Sequence, residues 1–217
     1  METEIIGLNE DQLNLNKLRD AVNYILDGQV IAFPTDTIYG IGCDVFNEEG
    51  VNTIYSLKER PKDKPINVLI SEVNQVYDVA RDIKPLFFEL AERFWPGGLT
   101  IVVEKNKSVP SNVTSNLKTV GVRMPRSNIV QQLINLAYTP LAATSANITE
   151  QPDPKTAKTV LEYFKGKIPC LIDGGPTPLG KPSTILDITG RKIPKIIRSG
   201  AISGDELREI IPKLKGK

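Results

Sequence analysis

The sequence predicts an α/β chain, with one domain over residues 1–217. Three observations point there. Stretches with apolar residues at helical spacing alternate from end to end with short β-branched runs. Glycine, proline and capping residues fall at the boundaries between them. A chain of 217 residues with 40% hydrophobic content and no long low-complexity segment can also bury one substantial core.

Leu15, Leu18, Val22, Ile25 and Leu26 share one helical face, and Gly28 follows where a C-terminal cap would sit. The run Val30-Ile31-Ala32-Phe33 ends at Pro34, as a buried strand does on leaving a sheet. Asn47 is placed to cap a helix through Ile54 and Leu57, and Pro61 and Pro65 force its far end into a loop before the strand at 66–70. Ser71 is read as the cap of a helix carrying Val73, Val76 and Val79, and Pro85 as the first residue of another with Leu86, Leu90 and Phe94. Trp95, read as a core anchor, begins the turn into a strand at 99–103. A long polar loop at 105–118 precedes the strand at 119–123.

Ser127 caps a helix with Val130, Leu133 and Ile134, and the apolar run at 140–143 ends in Thr144-Ser145-Ala146-Asn147. A helix is expected over 155–164 and a strand over 168–172. Two strands at 183–188 and 195–198 flank a turn at Gly190. The last helix opens with a capping box, Ser203 and Glu206, and is expected to run along the surface to Leu214 despite Pro212.

With 27 basic and 26 acidic residues the net charge is +1, so no global field draws the chain to nucleic acid or membrane, and any basic patch is local. The acidic start lacks a basic region followed by an apolar one, and no run of eighteen apolar residues occurs, so a cytoplasmic location is expected. Cys43 and Cys170 are too few and too far apart for a zinc ribbon or disulfide framework, and read as small core residues. The absence of histidine removes Ser-His-Asp triads, His-assisted cysteine nucleophiles and His-rich zinc sites together. An enzyme of this composition works with hydroxyls, carboxylates, cations and a hard metal ion.

Three features invite a ligand, each with a plainer alternative. Thr35-Asp36-Thr37, running into Gly40 and Gly42, is either a polar turn between strands or a turn whose hydroxyls and carboxylate face a ligand, with glycines that permit close approach or positive φ. Lys58, Arg60, Lys62 and Lys64 form either a phosphate-binding surface or a solvated loop. Arg123 ends an apolar strand and needs an anionic partner, from the protein or from a ligand. Two nucleotide motifs are near misses. Gly175 to Lys181 has P-loop spacing, but Pro182 occupies the hydroxyl position and a strand follows; Gly40-Ile41-Gly42 lacks the third glycine of a dinucleotide fingerprint.

Taken together, Pro34-Thr35-Asp36-Thr37-Ile38-Tyr39-Gly40, Lys58-Glu59-Arg60-Pro61, Trp95-Pro96-Gly97, Gly121-Val122-Arg123-Met124-Pro125, Ser145-Ala146-Asn147, Pro182-Ser183-Thr184 and Arg198-Ser199-Gly200-Ala201 resemble the YrdC-like threonylcarbamoyl-AMP synthases, in order and spacing, over nearly the whole chain. The resemblance implies a twisted mixed parallel and antiparallel open sheet flanked by helices, in the short form without an additional C-terminal domain. It implies a nucleotidyltransferase that forms threonylcarbamoyl-AMP and pyrophosphate from L-threonine, bicarbonate or CO2, and ATP with Mg2+. Downstream threonylcarbamoyl-transfer proteins acting on tRNA would be its partners.

Carried over by position, Lys58 and Arg60 are the expected catalytic residues. Arg60, Lys64, Thr119, Ser145, Asn147 and Arg198 are expected to bind ATP, and Thr37, Arg123 and Ser183 to bind threonine; no residue is assigned to a metal. Two departures stand out: Thr149-Glu150 replaces the usual Ser-Gly, and Leu69, left out of the site, stands where some members have histidine. Neither half-reaction needs a protein nucleophile, which suits a chain without histidine. The competing function is an RNA-binding module using the same basic concavity, against which stand the near-neutral charge and the lack of an aromatic-rich basic stripe. The segment 174–182, with glycines near both ends and three prolines, reads either as a mobile lid over the site or as a rigid connector.

Overall fold

Caps decide where several of the helices begin. The structure, a computed structural model, describes residues 2–190 and 193–214. Asn14 accepts from the first-turn amides of α1 (Leu15–Leu26), Asn47 from that of Gly50 in α2 (Glu48–Leu57), and Ser127 from that of Val130 in α5 (Asn128–Ala137). Gly28 takes φ +74 just beyond α1, as its position requires. Helices α3 (Val76–Val79), α4 (Pro85–Phe94), α6 (Ala157–Phe164) and α7 (Gly204–Ile210) complete the set.

The strands are β1 (Glu4–Gly7), β2 (Ile31–Phe33), β3 (Gly40–Asp44), β4 (Asn67–Leu69), β5 (Leu99–Glu104), β6 (Thr119–Arg123), β7 (Leu141–Ser145), β8 (Cys170–Asp173), β9 (Thr184–Asp187) and β10 (Lys195–Arg198). Among the described residues they form one sheet in the order β1-β8-β2-β3-β7-β4-β6-β5-β9-β10. Pairs β1/β8, β2/β8, β4/β6 and β5/β9 are parallel and the rest antiparallel, which is the mixed sheet expected. One face carries the larger core, with α2, α4, α6 and α7 contributing Ile54, Leu90, Phe164 and Leu207. The other is covered by α1 and α5, whose Leu18, Val22, Ile25, Val130 and Leu133 pack on Ile31, Phe33, Leu141 and Ile172. Burial on both faces explains why most strands read as continuous apolar runs.

Several expectations need correction. Strand β1 was not anticipated: only Ile6 of its four residues is buried, and it forms because β8 offers a parallel partner. Leu15 and Leu26 lie exposed at the ends of α1, and Ala21 takes a core place instead. Ser71 caps nothing; its hydroxyl bonds Gln75 and Asn135, and a short 3-10 turn at Val73–Gln75 leads into α3. Helix α7 stops at Ile210, because Pro212 cannot continue it, and Leu207, Ile211 and Leu214 are buried rather than superficial. Gly40 and Gly42 do not take positive φ but are paired strand residues; a Cβ on Gly42 would meet the Ala142 carbonyl oxygen at 2.8 Å.

One ion pair ties three distant segments together. Arg123, 6% exposed at the end of β6, donates from Nη2 to Asp36 Oδ1 at 2.5 Å, from Nη1 to Thr37 Oγ1 at 2.8 Å and from Nε to the Gly97 carbonyl at 2.9 Å. Asp36, 4% exposed, also accepts from the Arg126 amide, while its Oδ2 is buried with no hydrogen-bond partner among the described residues. Removing one member strands the other charge, so Arg123→Met and Asp36→Ala are each expected to lower the unfolding free energy by about 3–5 kcal/mol. The double variant should lose less than the sum of the two. Urea unfolding checks this, and a loss near zero in either single variant would show that the pair does not brace the fold.

Candidate functional site

Helices α1 and α5 cover the part of their face built on β8, β2 and β7, and the rest of that face is the floor of a cavity of about 680 Å³. Successive side chains of a strand point to opposite faces. Alternate residues of the central strands therefore look into the cavity: Asn67 and Leu69, Thr100 and Val102, Thr119, Gly121 and Arg123, Ala143 and Ser145. Their neighbours Val68, Ile101, Val122 and Ala142 belong to the core on the far side. The volume suits a small-molecule ligand.

At one end of the floor stands the turn between β2 and β3. Thr35 Oγ1 donates to the Ile38 carbonyl at 2.7 Å and accepts from the Thr37 amide, so the hydroxyl proton of Thr37 goes to Thr35 Oγ1, 2.9 Å away. Thr37 Oγ1 is thereby aligned to accept from Arg123. The turn is thus both things the sequence allowed, a connector between strands and a wall of the cavity, and the partner that Arg123 needed is a protein carboxylate.

Beside Arg123, Thr100 Oγ1 lies 2.8 Å from Ser183 Oγ, and Arg198 donates to the Ser183 hydroxyl and carbonyl. Arg198 faces the cavity because of a bulge. Ile196 pairs with Leu186 and Arg198 with Ile185, leaving Ile197 as the extra residue. In unbroken register Arg198 would oppose Thr184 and point to the other face. Burial lowers the pKa of Arg198, with Asp153 opposing and the Arg123 and Arg60 cations adding to the fall, so its guanidinium lies within electrostatic reach of both.

The cationic loop after α2 divides. Arg60 is half-buried in the cavity lining, donates to the carbonyls of Lys64 (2.9 Å) and Pro65 (2.8 Å), and has its pKa lowered by burial. Lys64 also lines the cavity, and Lys62 is exposed outside it. Lys58 is not in the lining. It is 1% exposed beneath the site, where Nζ donates to the carbonyls of Ser145 and Asn147, both at 2.5 Å, and to Asn147 Oδ1 at 3.2 Å. Burial, with the Arg60 cation second, lowers its pKa to about 7, while three acceptors call for an N–H each.

Asn147, which also donates to the Gln151 carbonyl at 2.6 Å, is likewise a brace and not a lining residue. Lys58 and Asn147, both expected at the ligands, thus lie behind the lining and are bonded to each other, with Lys58 also bonded to the Ser145 carbonyl. Arg60, Lys64, Thr119, Ser145, Arg198, Thr37, Arg123 and Ser183 are all brought together in the lining.

Residues missed from the sequence are Asn67, Leu69 and Thr100, with Asp63 and Asp153. Thr100 had a visible signal, a hydroxyl inside a β-branched strand, but read only as strand propensity. Glu150 takes φ +70, the left-handed conformation a glycine would adopt, so the loop keeps its turn despite the departure there. The segment 174–182 is tied down at Thr177 N to the Lys155 carbonyl and at Leu179 N to that of Asp36; Lys181 is exposed, and only Pro182 joins the lining. Both cysteines are buried and free, their thiols pushed up to about 12 by burial. No helix among the described residues is long and apolar enough to cross a membrane.

Comparison with known proteins agrees with this geometry. The Sua5/YciO/YrdC family model, described as telomere recombination, matches residues 23–200. A threonylcarbamoyl-AMP synthase of Pyrococcus abyssi is 41% identical over 213 residues, covering 98% of this chain and 62% of the relative. One from Bacillus subtilis is 35% identical over 93% of this chain and 59% of its own length. The chain thus spans about three fifths of these relatives. The crystal structure of P. abyssi Sua5 complexed with L-threonine superposes with a TM-score of 0.95 at 40% identity, over 98% of this chain and 63% of that one. With most of its length under the family model and a mixed sheet that superposes on a member, the chain belongs to the Sua5/YciO/YrdC family.

Proposed function

We propose that this chain forms threonylcarbamoyl-AMP from L-threonine, bicarbonate or CO2, and ATP, releasing pyrophosphate, as the first step toward threonylcarbamoyladenosine in tRNA. The observation that carries the reading is an excess of positive charge in the lining, where Arg60, Lys64 and Arg198 face Asp63 and Asp153 while Arg123 is paired with Asp36. Arg60 and Arg198 line the cavity with no ion-pair partner among the described residues, and their donors go to backbone carbonyls and a hydroxyl. Half-buried Arg60 and the more exposed Arg198 stand in the cavity wall as cations that an anionic ligand would pair. A carboxylate beside Arg123, Thr37 and Ser183 and a polyphosphate along Arg60, Lys64 and Arg198 would use both ends of the floor.

In this reading bicarbonate gives CO2 by losing hydroxide, the neutral amine of threonine attacks that CO2 to form a carbamate, and the proton the nitrogen sheds joins the hydroxide as water. A carbamate oxygen then attacks the α-phosphorus of ATP, and the bond to pyrophosphate breaks. The protein holds two anions side by side and stabilises charge on the transferring phosphoryl group. Mg2+ would come with ATP. Among the described residues no group of three metal-ligating side chains forms a site of its own, but Asp63 and Asp153 line the cavity, and Mg2+ takes one or two carboxylates beside substrate phosphates.

Pyrophosphate release by the purified protein tests the proposal. It is expected with L-threonine, bicarbonate and Mg-ATP together and no RNA present; no release, or release that needs RNA, would overturn it. Lys58 and Arg60 should separate in the same assay. Arg60→Ala is expected to cut turnover by at least ~10-fold with a small effect on stability. Lys58→Met should lower the unfolding free energy by about 1–3 kcal/mol, because it leaves acceptors unpaired, and raise the KM for ATP by loosening the Ser145 loop. Equal unfolding midpoints for Lys58→Met and the parent would remove its bracing role.

A further inference from the structure

The register of the sheet places the cavity floor in three rows. The row nearest the Thr35 turn contains Leu69 and Arg123, the middle row Ala143, Asn67, Gly121 and Val102, and the far row Ser145, Pro65 and Thr119. Residues two apart along a strand are about 6.6 Å apart, so the outer rows are separated by roughly 13 Å with the middle row halfway. Arg123 anchors one end; at the other, Arg60 reaches the Pro65 carbonyl, two residues before Asn67.

The middle row is nearly featureless. Ala143, Gly121 and Val102 have no side-chain donor, so Asn67 supplies the only polar side chain of the four. Its carboxamide makes no hydrogen bond to the described residues, although it is half-buried. The space it uses is made by Gly121, where an added Cβ would collide with Asn67 Oδ1. With that oxygen seated over the glycine, the Nδ2 end is left to a ligand. A half-buried amide with unused hydrogen-bonding capacity, on the floor of a cavity and between two cationic ends, is the arrangement of a recognition group.

Resting on the function proposed above, we infer that Asn67 is a catalytic contact for the carboxyl group being transferred: it donates Nδ2–H to bicarbonate or CO2, and then to the carbamate. An amino acid held by its carboxylate at Arg123 and a nucleotide held by its phosphates near Arg60 have their reacting atoms over the middle row. The new carbon–nitrogen and oxygen–phosphorus bonds form there. Bicarbonate and the carbamate group are planar and anionic, with oxygens that accept from a neutral amide donor set between Arg123 and Arg60.

The test is steady-state pyrophosphate release by Asn67→Leu, a variant of similar size, and by Asn67→Ala, which adds no bulk. Bicarbonate, L-threonine and ATP are varied in turn, and L-threonine affinity is measured separately by calorimetry with a non-hydrolysable ATP analogue. The KM for bicarbonate is expected to rise about tenfold in both variants, the equivalent of one lost hydrogen bond to an anion. L-threonine affinity and the KM for ATP should stay within about twofold, and the unfolding midpoint should not move. An unchanged KM for bicarbonate overturns the inference. So does a matching rise for ATP, which would make Asn67 a nucleotide contact. A parent protein that releases no pyrophosphate fails the functional proposal itself, and this inference with it; an active parent with indifferent variants fails this inference alone.

Discussion

A guanidinium at the end of an otherwise apolar strand is the constraint on which the site depends. Val120 and Val122 of β6 are core residues, so the strand cannot shift to expose Arg123 without uncovering them. The charge must be met where it is, and it is met by Asp36, Thr37 and the Gly97 carbonyl. These acceptors come from the turn between β2 and β3 and from the connection before β5, elements on opposite sides of β6 in the sheet order. Satisfying one buried cation thus fixes two walls of the cavity relative to its floor.

The three arginines of the cavity are not equivalent, and the difference separates structure from recognition. Arg123 is neutralised by a carboxylate within the protein, whereas Arg60 and Arg198 meet only neutral oxygens among the described residues. A carbonyl orients a guanidinium but leaves its charge. Desolvation lowers the pKa of both; at Arg198 Asp153 opposes the fall and the other two arginines add to it, and at Arg60 Tyr55 and Asp63 oppose it. An anion beside Arg60 and Arg198 would therefore meet cations that no carboxylate among the described residues pairs directly. Preorganised donors of this sort bind without reorganising when the ligand arrives.

Much of the fold was legible because its signals are local. Asn47, Ser127 and the Ser203–Glu206 box each announce a helix within four residues of the cap. What the sequence hid depends on distant partners. Strand β1 has one buried residue and exists through its pairing with β8. The bulge that turns Arg198 inward is visible only from its pairing with β9.

The division between Lys58 and Arg60 was hidden for a different reason: Glu59 between them adopts φ +50 at the end of α2. That single left-handed residue reverses the chain direction. Lys58 then points down to the Ser145 loop while Arg60 points into the cavity. Neighbours in a motif need not share a role, and here the backbone between them assigns one to each side of the floor.

The small residues along the floor follow from the same geometry. Ala143 and Gly121 leave depth at the middle of the floor, whereas Val68 and Val122 beside them pack into the core on the other face. A Cβ at Gly121 would collide with Asn67 Oδ1, so part of the concavity is written into the strands themselves. Rigid strands hold polar groups more exactingly than loops do. In the proposed reaction, where no protein atom becomes covalently bonded to substrate, holding reactants at a fixed separation is most of what the enzyme contributes. A floor of paired strands with a cation at each end meets that requirement without histidine, and the spacing of its rows sets where the reacting atoms can meet.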